Sequence, residues 1–284
     1  MIRTRFAPSP TGPLHLGHAY SAILAHDFAK ARNGQFLVRI EDIDRTRARP
    51  KWEDGIFDDL KWLGLTWANS IMRQSVRSIS YEKVINKLWA MGLLYPCKCS
   101  RKDIIDSAHA PQGFSDANYG PDGLVYPGTC RQQKIFAERP LDSALRLDMA
   151  KAVTKCVAIK DYNVEITGLK KENDIINTLQ FIDSIGDIVL SRRNKEVAYH
   201  LAVVVDDAAQ GVSHVIRGSD LKPATNIHVL LQNLLGYSSP AYIHHKLIRD
   251  ADGKRLAKRD DAKSISSFRS QGATPADIRS LVGL

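Results

Sequence analysis

The chain contains no apolar run that approaches the roughly 20 residues of a membrane span. Its first residues, Met1-Ile-Arg-Thr-Arg-Phe-Ala-Pro8, lack the hydrophobic stretch of a secretory signal. A cytoplasmic protein with no membrane partner is the expectation. Internal repeats and low-complexity segments are also missing, so neither a solenoid nor a disordered tail fits. Only four cysteines are present, and in a cytosolic chain their clustering favours zinc over disulfides. What is present is ample: 284 residues with 44% hydrophobic content can build one large or two modest domains. Forty Lys and Arg against 31 Asp and Glu give a formal charge of +9 and a pI near 9.4. That balance suits a polyanion partner, although charge alone also suits many soluble proteins.

The most informative stretch lies near the start. Residues 2–7 form a short apolar-rich run ending at Pro8, which predicts a first strand, and Ser9-Pro-Thr-Gly-Pro13 is dense in turn residues. From His15 onward Leu16, Ala19, Ile23 and Phe28 recur at helical spacing through Arg32, with Asn33-Gly34 as a stop. A helix beginning near His15 directs unpaired amide hydrogens and its positive dipole end at whatever lies ahead, which favours an anion. Gly17 lets a flat group or a phosphate approach the backbone. His15 and His18 project from one turn and can both reach a triphosphate. Alone, a His-x-x-His pair is more often decoration; the Pro/Gly turn ahead of it favours the phosphate reading.

Further along, Gln35–Ile40 reads as a second strand, and Trp52, Ile56, Leu60 and Leu63, then Tyr81, Val84, Ile85, Leu88 and Trp89, mark two helix faces. Strand–helix alternation argues for a parallel sheet. Between about 97 and 185 the texture changes to a Cys pair, a Gly/Asp/Ser-rich loop and short alternating runs at 144–149 and 156–160, which predicts an insertion. The periodic pattern returns with a strand over 213–217 and a helix carrying Pro223 in its first turn, with Ile227, Leu230, Leu231 and Leu234 facing the core before Gly236. Thr274-Pro-Ala-Asp277 caps a last helix leading into Ile278 and Leu281. In such sheets ligands bind at the carboxyl ends of strands, where the first turn, Glu41 and Arg217 would meet.

Two clusters of chemistry remain. Lys254-Arg-Leu-Ala-Lys258-Arg259 follows the turn Asp250-Ala-Asp-Gly253 and forms a basic loop suited to neutralising the charge that builds on a leaving pyrophosphate, with Lys258 as the residue for that role. Cys97 and Cys99 have a spacing suited to two metal ligands on one turn, and Cys130 adds a third. Zinc takes four ligands. Tyr126, four residues before Cys130, competes for the last place with His109 and Cys156, the latter lying in an apolar run where a buried free thiol is ordinary.

Pro8-Ser-Pro-Thr-Gly-Pro-Leu-His-Leu-Gly-His18, Arg39-Ile-Glu-Asp-Ile-Asp-Arg-Thr-Arg47, Ala198-Tyr-His-Leu-Ala-Val-Val-Val-Asp-Asp207, His214-Val-Ile-Arg-Gly218 and Lys254–Arg259 stand in an order and approximate spacing that resembles class I aminoacyl-tRNA synthetases in the form used by glutamyl enzymes. The resemblance implies an α/β fold: a Rossmann-like parallel-sheet catalytic domain with an inserted, zinc-containing acceptor-type subdomain and no anticodon-binding domain. On that pattern residues 1–96 are the first half of the catalytic domain, 97–185 the insertion, 186–240 the second half and 241–284 the signature loop with a truncated stem-contact segment. It implies ATP held by His15, Gly17, His18 and Lys258, with His15, His18 and Lys258 catalytic and Mg²⁺ on the phosphates. It also implies glutamate held by Arg5 and Arg217 at its carboxylates, Glu41 at its α-amino group, and Tyr199 and Ser9 alongside. Arg is the side chain that grips a carboxylate with a fixed fork. Tyr126 would join Cys97, Cys99 and Cys130 on a structural zinc. Judged without that resemblance, Glu41 suits a surface ion pair with Arg39 or Arg45, Tyr199 suits packing, and Asp206 and Asp207 suit orienting a neighbouring element. The family's Lys-Met-Ser-Lys-Ser signature is altered here, and Ala257 removes a hydroxyl able to touch phosphate.

Full-length glutamyl synthetases continue into helical domains beyond this signature, whereas this chain stops at Leu284, 26 residues after Lys258. It is therefore similar to the short branch of that family. The expected activity is ATP-dependent activation of L-glutamate and its transfer to the queuosine base in the anticodon loop of tRNA(Asp), by a monomer. The competing expectations are a catalytic fragment that charges a tRNA 3′ end and a non-catalytic tRNA-binding paralogue.

Overall fold

A computed structural model describes residues 1–68, 70–108, 118–132, 138–156, 181–248 and 263–284. Strand β1 (Arg3–Phe6) pairs in parallel with β2 (Gln35–Ile40), placing Arg5 opposite Leu37. Between them runs helix α1 (Leu16–Lys30). Its alanines at 19, 22, 25 and 29 are buried and let the helix lie close on the sheet. The helix ends two residues short of Arg32. Asn33 adopts a left-handed φ of 50°, and a Cβ on Gly34 would stand 2.6 Å from the Ile2 carbonyl oxygen, so the chain must turn there and only glycine fits.

Helix α2 (Pro50–Trp62) buries Ile56 and Leu60. The two-residue strand β3 (Met72–Arg73) then extends the parallel sheet beside β2. Helix α3 (Ser78–Ala90) follows and buries Tyr81, Val84, Ile85 and Leu88. The next strand, β4 (Leu94–Cys97), belongs to a different, antiparallel sheet. Helix α4 (Arg101–Ala108) and the short hairpin β5 (Tyr119–Gly120) and β6 (Gly123–Leu124) come next. Strand β7 (Ala144–Leu147) pairs with β4. The predicted alternating run stops there, because Asp148 caps helix α5 (Met149–Lys155) by accepting from the Lys151 amide. Beyond Cys156 the second predicted run, 157–160, lies outside the described residues. A single π-helical turn (Phe181–Ile185) leads to β8 (Val189–Ser191), which completes the antiparallel sheet on the far side of β7.

Helix α6 (Tyr199–Ala209) is buried continuously from His200 to Asp207. Its valines show no helical period because it is packed on both sides, against α3 and against α7 (Ala224–Leu235). Strand β9 (His214–Gly218) precedes α7 and pairs in parallel with β10 (Ala241–His245). The Ser213 amide donates to the Arg3 carbonyl at 3.0 Å, so β9 begins alongside β1 and the two parallel sheets abut. Gly236 closes α7 at φ 74°, as the sequence predicts.

Leu145, Leu147 and Met149 of the predicted insertion pack in one apolar cluster with Leu201, Ile227 and Leu230 of α6 and α7. The insertion thus shares the core of the helices beside it. Two helices follow, α8 (Ile265–Ser270) and α9 (Pro275–Val282), of which α9 packs against α1. The Ile265 amide donates to the Leu14 carbonyl at 2.8 Å, and Arg279 pairs with Asp27 at 2.7 Å. In α9, capped by Thr274 and Asp277, Ile278 is buried and Leu281 is 54% exposed. Among the described residues no helix is long and apolar enough to cross a membrane.

Candidate active site

The carboxyl ends of β1, β2 and β9, the first turn of α1 and the start of α6 surround one cleft of about 490 Å³. Arg5, Ser9, His15, Gly17, His18, Glu41, Tyr199 and Arg217, eight residues predicted from sequence to hold glutamate or ATP, all line it. That volume matches a nucleotide-sized ligand, since ligand pockets run from about 300 to 1,000 Å³. Lys258 lies outside the described residues. Its flanking segments reach the cleft: Ile248 lines it, and Ser264 forms a bridge with His15.

His15 is the N-cap of α1. Its Nδ1 accepts from the Gly17 amide at 3.1 Å, while His18 Nδ1 accepts from the His15 amide at 3.2 Å. Backbone amides can only donate, so a neutral ring at either position carries its proton on Nε2. The two rings lie 3.8 Å apart between centroids. A Cβ on Gly17 would come within 3.1 Å of the His15 ring, so glycine here makes room for the imidazole as well as for a ligand.

Behind the cleft four buried charges alternate in sign. Glu41 accepts from Arg39 Nη2 at 3.1 Å, Arg39 Nη1 donates to Asp207 at 2.6 Å, and Asp207 accepts from Arg5 Nε at 3.2 Å. The predicted Glu41–Arg39 ion pair therefore exists, but it is internal: Arg39 is fully buried and Glu41 nearly so. Asp207 orients Arg5 and Arg39, the kind of role the sequence suggested for it. Among the described residues Arg5 makes no hydrogen bond besides the one through Nε, which leaves its two terminal amino groups for a ligand. Burial raises the Glu41 carboxyl above the usual range despite the nearby Arg39 and Arg5. Burial likewise raises the Tyr199 phenol, which stays protonated as a hydroxyl donor.

Arg217 is held differently. Nη1 donates to His228 Nδ1 at 3.1 Å, Nη2 to the Thr225 hydroxyl at 2.6 Å and the Leu221 carbonyl at 3.2 Å, and Nε approaches His244 Nε2 at 3.4 Å. Four of its five N–H groups are thus committed, all to neutral acceptors. No carboxylate among the described residues lies within ion-pair distance of it. Burial pulls its pKa below the ordinary guanidinium range, and its charge in turn, after burial itself, lowers both imidazoles, His244 to about 3. Arg5, Arg39, Glu41 and Asp207 pair with one another, so Arg217 is the buried cation of the cleft with no carboxylate partner among the described residues.

Sequence reading alone offers Arg39 only as a surface partner of Glu41 and does not single out Thr225, His228 or His244. The available signals are one charge inside the otherwise apolar strand 36–40 and a polar stripe, Thr225, His228 and Gln232, along apolar α7.

The cysteine cluster lies elsewhere, at the end of β4. The Sγ atoms of Cys97, Cys99 and Cys130 all lie within 4.8 Å of one another. Tyr126 Oη stands 3.5 Å from Cys97 Sγ and 3.4 Å from Cys99 Sγ, and accepts from the Cys130 amide at 2.9 Å. Zinc with Zn–S bonds of about 2.3 Å needs donors grouped in this way, so the donor set fits a tetrahedral ion. Arg146 lies over the Tyr126 ring at 3.8 Å, and burial raises the Tyr126 phenol above its ordinary range. Cys156 sits apart, half-buried against the Leu230 carbonyl, which removes it as a ligand. His109 lies outside the described residues.

Comparison with known proteins identifies the family. The catalytic-domain profile of class I tRNA synthetases (E and Q) matches residues 1–284. The chain belongs to that family. It is 54% identical to the glutamyl-Q tRNA(Asp) synthetase of Rhodobacter capsulatus, covering 99% of both chains. Identity to the enzyme of that name from Symbiobacterium thermophilum is 38%, over 98% of this chain and 84% of that one. Among solved structures, a glutamate tRNA ligase from Elizabethkingia meningosepticum in complex with its amino acid superposes with a TM-score of 0.76 at 26% identity. This chain spans 60% of that ligase.

Proposed function

We propose that the protein activates L-glutamate with ATP and transfers it to the queuosine base in the anticodon loop of tRNA(Asp), a reading supported by the name glutamyl-Q tRNA(Asp) synthetase that its relatives carry. The observation that carries the amino-acid assignment is Arg217, a buried cation surrounded by neutral acceptors. Glutamate has two carboxylates and one ammonium, and its second carboxylate suits a buried guanidinium that has no carboxylate partner of its own; glutamine lacks that group. In this reading Arg5 and Arg217 take the carboxylates, Glu41 takes the ammonium, and Tyr199 and Ser9 lie alongside.

The first step joins a glutamate α-carboxylate oxygen to the α-phosphorus of ATP and breaks the bond to the β-phosphate, releasing pyrophosphate. His15 and His18 direct their Nε2 donors at the phosphates from the start of α1, where the helix dipole favours negative charge. Lys258 neutralises the departing pyrophosphate. Mg²⁺ bound to the phosphates would add to that neutralisation. In the second step a hydroxyl of the queuosine cyclopentene ring attacks the acyl carbon and AMP leaves. The protein supplies placement and charge, with no covalent enzyme intermediate. Reading of a base splayed from a loop is the usual mode of RNA recognition. Cys97, Cys99, Cys130 and Tyr126 would hold a structural zinc that pins the segment after β4.

The test incubates tRNA(Asp), with its 3′ adenosine removed enzymatically, with ATP and glutamate, and weighs the nuclease fragments. A glutamyl mass increment on the anticodon fragment is expected. An increment that appears only on tRNA with an intact 3′ end would assign the protein to 3′ charging, and no increment with tRNA still bound would assign it to the non-catalytic class.

A further inference from the structure

Behind Arg217 three further side chains stand in file. His228 Nδ1 is 3.1 Å from Arg217 Nη1, His228 Nε2 is 3.1 Å from His200 Nδ1, and His200 Nε2 is 3.2 Å from Asp122 Oδ1. The proton positions follow in order. A guanidinium only donates, so His228 Nδ1 accepts and its proton sits on Nε2. That proton points at His200, whose Nδ1 must therefore accept, and the His200 proton is left on Nε2 facing Asp122. Every hydrogen bond runs outward from the guanidinium, and a carboxylate that only accepts terminates the file.

Arg217, His228 and His200 are buried, whereas the Asp122 side chain is 42% exposed. Asp122 sits in the turn between β5 and β6, in the segment predicted as an insertion. The hairpin is seated firmly there. A Cβ on Gly120 would overlap the Ser184 carbonyl oxygen at 2.0 Å, and the Asn118 side-chain amide donates to the Asp183 carbonyl. Without an acceptor at His200 Nε2 only the guanidinium end still holds the file: the ring loses the bond that favours its Nε2 proton, and a proton on Nδ1 instead would oppose the His228 proton. His228 would then gain by presenting a proton to Arg217, donor against donor.

We propose that Asp122 is a positioning residue for the amino acid: it selects the His200 and His228 tautomers that hold the Arg217 guanidinium in its carboxylate-binding orientation. The proposal deepens the glutamate reading above and rests on it. The seating of the β5–β6 hairpin thereby enters the affinity for glutamate from outside the cleft.

The experiment compares Asp122→Ala and Asp122→Asn with the unaltered protein in glutamate-dependent exchange of pyrophosphate into ATP. Loss of a charge-assisted acceptor predicts a KM for glutamate raised about three- to tenfold in Asp122→Ala, with the KM for ATP and kcat unchanged. Asp122→Asn restores it, because the amide oxygen accepts the same bond from His200. An unchanged KM for glutamate, an equal rise in both KM values, or an Asn variant no better than Ala overturns the proposal. Arg217→Gln separates the two levels. If it leaves the KM for glutamate unaltered, the glutamate reading itself is wrong; if it raises that KM while Asp122→Ala does not, only the file through the histidines falls.

Discussion

Replacing Arg217 by Gln removes a buried cation that has no ion-pair partner among the described residues and leaves a shorter, neutral amide. Arg217 meets only neutral partners, the imidazoles of His228 and His244, the Thr225 hydroxyl and the Leu221 carbonyl. Its charge is therefore not bound up in an ion pair with a carboxylate of the described residues and can meet a ligand carboxylate. A hydrogen bond to a charged group contributes about 1.5–3 kcal/mol, which at 1.4 kcal/mol per decade is a rise of about 10- to 150-fold in the KM for glutamate. Folding should survive, because the orphaned acceptors cost stability while relief of a buried unpaired cation returns some of it. A thermal melt before the kinetics checks this. The assay is pyrophosphate exchange into ATP with glutamate titrated and no tRNA added. The KM for ATP at saturating glutamate stays at its original value, and preference for glutamate over glutamine narrows. A KM for glutamate within about twofold of the original would refute the charge argument, since so small a change lies below the contribution of one charged hydrogen bond.

Glu41 must be ionised to hold an ammonium, and burial raises its carboxyl. The acid limb of kcat/KM for glutamate therefore sits above the ordinary carboxylate range, and Glu41→Gln should abolish that limb while lowering the plateau. His228 and His244 are held neutral in the fold, so on unfolding they bind protons that the folded chain refuses. Stability is then complete above the ordinary histidine pKa of about 6.5 and falls as pH drops below it, by up to about 1.4 kcal/mol per pH unit for each ring. Melting curves between pH 8 and pH 5 should show Tm declining on the acid side, and a flat Tm would contradict the neutral assignment. Zinc analysis of protein prepared without chelator should find one ion per chain, lost in Cys97→Ala and retained in Cys156→Ser. Retention of zinc in both would move the site elsewhere.

The paired histidines, the turn before them and the helix they open were legible because each is local: a cap, a glycine and a 3.6-residue period lie within one stretch of chain. The same holds for β1, β2, α7 and the glycine that ends it. Helix α6 was less legible, since burial on both sides erases the amphipathic period that would mark it. Strand β7 was predicted too long because Asp148, two residues beyond Arg146, turns the chain into a helix by capping it.

By itself the sequence determined which residue types gather for the chemistry: two imidazoles on a helix start, two arginines and a glutamate for an amino acid, and three cysteines with a tyrosine. Tertiary structure alone decided how their charges add. Arg39, from the middle of a strand, and Asp207, from a distant helix, cancel Arg5 and Glu41 inside the protein, while α7 surrounds Arg217 with neutral acceptors. Charge compensation depends on distances of about 3 Å between residues far apart in the chain, and no local pattern encodes such distances.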